Sequence, residues 1–226
     1  MESSLLAIVL PPLTLVPVMG LLSRARSGGQ FQAELRRKAF HVSIGCMSLF
    51  LPLVLTETWL IIVASTLTVV WMLAARHAPC IRSRFGGVLH DANRRSYGEL
   101  YFTLSIALLL LLAGDEPLLY VTPVLILSFA DAAAALVGKV FPVGRLSGPA
   151  SGKTMSGCAA FFLTAFVISL VAITVFLSIP FPSALSVAFL IAIVSGVMEA
   201  VSTRGLDNLT VPLSAYLVMN LFISGV

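Results

Sequence analysis

One carboxylate stands where carboxylates are costly. Asp131 lies inside the apolar run from Leu125 to Gly138. Placing an Asp at the centre of a membrane helix costs about 2.5–3.5 kcal/mol on insertion scales, so such a residue is a functional candidate by default. On a helix its neighbours at i+3, i+4 and i+7 are Ala134, Ala135 and Gly138. They form a face of small residues on which another helix or a ligand can approach closely. Asp131 suits a Mg²⁺ ligand or a proton-transfer carboxylate. The plain structural alternative is a carboxylate hydrogen-bonded inside a bundle.

Cations gather in two places. Glu34-Leu35-Arg36-Arg37-Lys38-Ala39-Phe40-His41 opens an apolar run. Helical spacing puts Arg37, Lys38 and His41 on one face, the kind of cluster that recognises polyphosphate. Taken alone, Arg-Arg-Lys at a membrane boundary also serves as a topology anchor. The second place is Ser151-Gly152-Lys153-Thr154-Met155-Ser156-Gly157. A phosphate loop would need Gly at 147, where Ser147 stands, and a preceding strand, so that fold is rejected. The physics of anion binding survives: Gly152 and Gly157 permit close approach and Lys153 supplies charge. Thr154 or Ser156 caps a helix whose free N–H groups are expected to face an anion. An ordinary capped helix with a snorkelling lysine is the bland reading.

Two further segments carry polar groups at helix ends. Arg94-Arg95-Ser96-Tyr97-Gly98-Glu99 opens one run, with Tyr97 and Glu99 as expected substrate-positioning side chains. Glu199 closes another, and Gly205-Leu206-Asp207-Asn208 opens the last, with Asp207 a natural N-cap. Asn208-Leu209-Thr210 matches the glycosylation pattern but falls on the side that the charge distribution makes cytoplasmic, which discounts it.

The elements that must position these groups are membrane helices. Only 11% of the 226 residues are charged and 58% are hydrophobic, with a mean hydropathy of +1.03. Soluble domains carry about a quarter charged residues, so a soluble enzyme and a disordered chain are both excluded. Eight apolar runs are long enough, or nearly so, to span: 4–22, 39–55, 58–75, 99–113, 118–138, 157–178, 183–202 and 209–224. The first lacks a basic n-region and a small-x-small cleavage site, so it reads as a retained helix. Pro11, Pro12 and Pro17 should bend it. With eight spans, all 14 Lys and Arg fall on one side, and Glu2, Glu57, Asp115 and Glu116 fall on the other. The positive-inside rule then places both termini outside and the basic connections in the cytoplasm. The basic loop with Arg76, Arg82 and Arg84 reads as a topology and lipid-contact element. Cys46, Cys80 and Cys158 have no metal or disulfide spacing. The expected architecture is an all-α, polytopic membrane bundle, with residues 1–226 a single integral membrane catalytic domain.

Cations and carboxylates thus meet at the cytoplasmic ends of six runs. Phosphoryl transfer requires that mixture: carboxylates for Mg²⁺, Arg and Lys for phosphate oxygens, and a group that orients the nucleophile. An ion transporter would more naturally hold its charges near the midplane.

Four stretches carry a family resemblance: ELRRKAFH at 34–41, RRSYGELYF at 94–102, DAAAALVGKVFP with GKTMSG between 131 and 157, and EAVSTRGLDNLTVP at 199–212. In this order and on this topology they resemble the CTP-dependent lipid kinases that include dolichol kinase, yeast-type diacylglycerol kinase and plant phytol kinase. The last stretch is most similar to the phytol kinase branch. Where relatives often have a glycine after the Gly-x-x-Phe turn, this chain has Phe141-Pro142-Val143-Gly144.

The resemblance implies that Arg37, Lys38 and Asp131 are essential, with Gly138 close by. It extends nucleotide contacts to Gly152, Lys153, Thr154 and Asn208 and metal contacts to Glu199 and Asp207. It implies Mg²⁺ as cofactor, CTP as γ-phosphoryl donor and a membrane-embedded isoprenoid alcohol as acceptor. A carboxylate or His41 would orient the hydroxyl. A diacylglycerol kinase, a phosphatidate cytidylyltransferase-like enzyme and an anionic lipid or metabolite transporter are the alternatives. The expected partners are lipid alcohol, nucleotide and membrane lipid, with no nucleic acid; oligomeric state is left open.

Overall fold

The structure is a computed structural model that describes residues 17, 18, 20, 29–77, 97–147 and 152–224. The expected span 4–22, apart from three of its residues, lies outside the described residues. So do Arg82, Arg84, Arg94, Arg95 and Ser96 of the basic loop.

Among the described residues the regular structure is helical apart from one isolated bridge, Arg145 to Thr154. The helices are α1 Gln30–Ser48, α2 Thr58–His77, α3 Gly98–Ala113, α4 Pro117–Leu125, α5 Asp131–Val140, α6 Met155–Phe176, α7 Phe181–Val201 and α8 Asp207–Ile223. A short 3₁₀ turn, Leu51–Leu53, follows α1. Three continuous rods are long and apolar enough to cross a membrane: Pro117–Val140, Met155–Phe176 and Phe181–Val201. Two shorter apolar helices, Thr58–Ala74 and Gly98–Ala113, accompany them. These apolar helices mark a membrane protein.

Seven of the expected runs appear as helices with ends shifted by a few residues. The largest difference is at α1, which begins at Gln30 instead of 39. Gln, Ala, Glu, Leu, Arg and Lys are good helix formers, so the helix continues outward past its apolar part and carries Glu34, Arg37 and Lys38 on a regular scaffold. Asp207 is the first helical residue of α8, with Leu206 at the cap position. Its Oδ1 still accepts from the Asn208 amide at 3.2 Å.

The rod containing Asp131 is not a simple helix. Pro123 sits inside α4 and a π-helical segment, Ile126–Ala130, joins α4 to α5. Proline removes one ladder donor, and a π turn inserts a residue and so re-aims the side chains beyond it. Asp131 is the first residue after the insertion.

The core is built from small residues where helices cross. Ala165 and Ala172 on α6 face Ala184, Ala188 and Ala192 on α7, all buried, with Phe161, Ile173 and Ile191 filling between them. Without a hydrophobic drive in lipid, close backbone approach is what holds such helices together. Leu163, Val167 and Val171 on α6 and Phe189, Leu190 and Val197 on α7 are exposed, as lipid-facing surfaces are. The α5–α6 crossing is tighter still. A Cβ on Gly157 would stand 2.8 Å from the Ala134 carbonyl oxygen, and one on Gly138 would stand 2.7 Å from Thr154 Oγ1.

Candidate active site

The first half of α1, the whole small face of α5, the start of α6, the end of α7 and the start of α8 enclose one polar cavity of about 700 Å³. Asp131, Ala134, Ala135 and Gly138 line it together, as helical spacing required. Of the expected site residues, Arg37, Lys38, Asp131, Gly138, Gly152, Lys153, Thr154, Glu199, Asp207 and Asn208 all face this space.

Two ion-paired groups face each other across it. On one side, Lys38 Nζ lies 2.5 Å from Asp131 Oδ2, both side chains buried. His41 backs this pair, its Nε2 being 3.0 Å from the Leu127 carbonyl and 3.5 Å from Asp131 Oδ2. A carbonyl only accepts, so Nε2 carries the hydrogen. Glu34 is ion-paired with Arg37 and stands 3.6 Å from Lys139 Nζ, which ties α1 to the end of α5. Burial pushes the Glu34 carboxyl up, but the Arg37 hydrogen bond and the charges of Arg37, Lys38 and Lys139 outweigh it and hold it below its ordinary value. Arg37 Nε is buried with no hydrogen-bond partner among the described residues.

On the other side, Lys153 Nζ lies 2.7 Å from Glu199 Oε1 and 3.6 Å from Asp207 Oδ2, and it also donates to the Glu199 carbonyl. Asp207 stands at the rim, just outside the 209–224 apolar run. Burial first, and then the nearby Asp131 charge, push its carboxyl above the ordinary range, against the pull of Lys153 and Lys38.

Several expectations change. The start of α6 does not offer free N–H groups to an anion. Met155 N donates to Gly144 O at 2.9 Å, Ser156 N to Val143 O at 3.5 Å and Gly157 N to Thr154 Oγ1 at 3.1 Å. The reason is the loop before it, which folds back on the helix: Gly144 adopts φ +64° and Leu146 N donates to Lys153 O at 3.0 Å. Lys153 supplies charge to the cavity without a ring of amides behind it. Gly138 serves the close crossing against Thr154. Asn208 spends one amide hydrogen on the Gly98 carbonyl at 2.8 Å, latching α8 to α3.

Tyr97 and Glu99 do not line the cavity, and neither does His41. The start of α3 reaches the rim by its backbone, with Tyr97 N donating to Arg204 O at 3.2 Å. Sequence reasoning passed over Glu34, Lys139, Cys158, Ser202, Thr203, Arg204 and Gly205, which also line the cavity. Glu34 was legible as the i−4 neighbour of Lys38. Arg204, at φ +55° before Gly205 at φ +87°, had only its place beside Asp207 to give it away.

A phytol kinase from Synechocystis is 30% identical to this chain over 191 residues, which cover 82% of this chain and 78% of that protein. The chain belongs to the phytol kinase family. No family model and no solved structure matches it. A match of that length has to include the middle of the chain, where Asp131 and Lys153 stand.

Proposed function

We propose that this protein is a lipid-alcohol kinase that transfers the γ-phosphate of CTP to the hydroxyl of a membrane-embedded isoprenoid alcohol. The observation that carries the reading is the convergence of Lys38–Asp131 and Lys153–Glu199–Asp207 on one polar cavity at the end of an apolar bundle. Phosphoryl transfer is mostly positioning and charge stabilisation, and this cavity supplies both signs of charge on rigid helices. Eight spans, both termini outside and a cytoplasmic cavity complete the reading, supported by the one-sided placement of Lys and Arg.

Among the described residues no three of His, Cys, Asp and Glu converge as a metal cage. Magnesium does not require such a cage: it takes one or two carboxylates together with substrate phosphates and keeps its waters. Asp131, with Asp207 or Glu199, would hold it, and it would neutralise charge on the phosphate oxygens. Arg37, with its unmet Nε donor, and Lys38 and Lys153 would bind phosphate oxygens. The alcohol oxygen bonds to the γ-phosphorus, the bond to the β-phosphate oxygen breaks, CDP leaves and a cavity carboxylate takes the hydroxyl proton. In this scheme His41 is a positioning residue, because its Nε2 hydrogen is committed to Leu127 O beside Asp131. That leaves the orienting role to a carboxylate.

The test is product analysis with purified protein, a panel of lipid alcohols and CTP labelled on either the α- or the γ-phosphate. Label from the γ position on an isoprenoid alcohol is the expected result. Label from the α position on lipid, or no labelled lipid with any alcohol, overturns the reading.

A further inference from the structure

A second cavity lies apart from the polar one and is almost wholly apolar. It occupies about 350 Å³ between α1, α2 and α3, against Ile44, Met47, Leu51, Phe102, Ile106 and Leu110. It exists because α2 packs on α3 while α1 packs on the α4–α5 rod, leaving a cleft between the two groups. Four hydroxyls border it, Ser48, Ser65, Thr68 and Thr103. Three of them are spent on their own helices: Ser48 on Gly45 O at 2.7 Å, Thr68 on Ala64 O at 2.8 Å and Thr103 on Glu99 O at 3.1 Å. The walls therefore ask for an apolar occupant.

The cleft is joined to the polar cavity by one side chain. The His41 ring meets Phe102 edge to face, centroids 5.0 Å apart, and its Nε2 lies 3.5 Å from Asp131 Oδ2. Phe102 lines the apolar cleft and Asp131 the polar cavity. The helix α1 serves both: Lys38 lines the polar cavity and Ile44 the apolar one, six residues or about 9 Å further along the axis. At the far end Phe50 and Leu53 are exposed, which leaves an opening toward the bilayer.

We propose that this cleft is the binding site for the isoprenoid tail of the acceptor alcohol, with its hydroxyl end at the His41–Phe102 wall and directed to Asp131. The proposal deepens the kinase reading and rests on it for the identity of the ligand. A phospholipid acyl chain would suit the apolar walls as well, but has no reason to end beside a carboxylate. A primary alcohol on an unsaturated or branched hydrocarbon chain matches both ends.

The experiment is photolabelling of the full chain in lipid nanodiscs with an isoprenoid alcohol that carries a diazirine on its tail. Label is expected on residues 44–55, 64–72 and 102–110, falling about tenfold under a large excess of unlabelled alcohol, as mass action requires. Label on the outer faces of α6 and α7, or label that excess alcohol does not displace, overturns the proposal and marks ordinary bilayer contact. The half-buried Ser65 offers a second readout. Ser65→Phe should lower the ratio of kcat/KM for a long over a short isoprenoid alcohol about tenfold by excluding part of the tail. An unchanged ratio overturns it. Photolabelling needs no nucleotide, so a failure of the kinase reading shows separately, as alcohol that binds in the cleft and is never phosphorylated.

Discussion

Lys38 Nζ and Asp131 Oδ2 lie 2.5 Å apart, although 93 residues of chain separate them. The pair joins α1 to the first residue after the π segment and lies at the floor of the polar cavity. Both side chains are buried, at 4% and 11% exposure. Removing one partner strands the other charge, which costs about 3–5 kcal/mol, while replacing both with apolar groups of similar size is often neutral. Lys38→Met and Asp131→Leu alone should each lower the thermal midpoint strongly, and the double variant should regain most of the loss. Phosphate transfer should stay absent in all three. Asp131→Asn, closest in shape, should fold and lose at least about a thousandfold in kcat, the upper range for one electrostatic group. Recovery of transfer along with stability in the double variant would remove the pair from the chemistry.

Much of this site is legible in the sequence. The small-residue face behind Asp131 follows from helical spacing alone, and Ala134, Ala135 and Gly138 do line the cavity with it. Arg37 and Lys38 stand out because helical spacing gathers them with His41 on one face and the resemblance marks both as essential. The rest depends on contacts between distant segments. The start of α6 carries every local sign of an anion site. Its amides are nevertheless taken by Gly144 O and Val143 O, because the preceding loop folds back on it. The early start of α1 escapes a search for apolar runs, which does not see helix that continues beyond the bilayer. The π segment before Asp131 leaves no mark except Pro123, and nothing local tells that the Tyr97 amide meets the Arg204 carbonyl.

Glu34 gives α1 an acid-sensitive tie. Burial raises its carboxyl pKa, but Arg37, Lys38 and Lys139 overcome this and hold it below the ordinary 4.5. A carboxyl with a lowered folded value contributes stability that is fully present above its unfolded value and is lost as pH falls through the folded one. The thermal midpoint of the wild type should therefore decline from about pH 4.5 downward, as α1 loses its tie to Arg37 and to Lys139 on α5. Glu34→Gln should be less stable at neutral pH and should show a flatter decline in acid. Parallel acid profiles for the two proteins would mean that Glu34 is not the group that responds.

Cys158 offers a direct view of the occupied cavity. It lies one turn into α6, is half-buried, and its Sγ stands 3.9 Å from Glu199 Oε2, the carboxylate that Lys153 holds at 2.7 Å. A thiol that lines the cavity is within reach of a small maleimide entering from the polar side, and a bound nucleotide would cover it. In a Cys46→Ser, Cys80→Ser background, alkylation of Cys158 should abolish phosphate transfer. CTP with Mg²⁺ should slow the alkylation about tenfold at saturating concentrations. The measurement is the rate of label incorporation by mass spectrometry with and without nucleotide. Protection that requires both CTP and metal fits a nucleotide seated between the Lys38–Asp131 and Lys153–Glu199 pairs. An alkylation rate indifferent to nucleotide would mean that the phosphates bind away from α6, and Lys153 would then be a structural cation that ties α6 to the ends of α7 and α8.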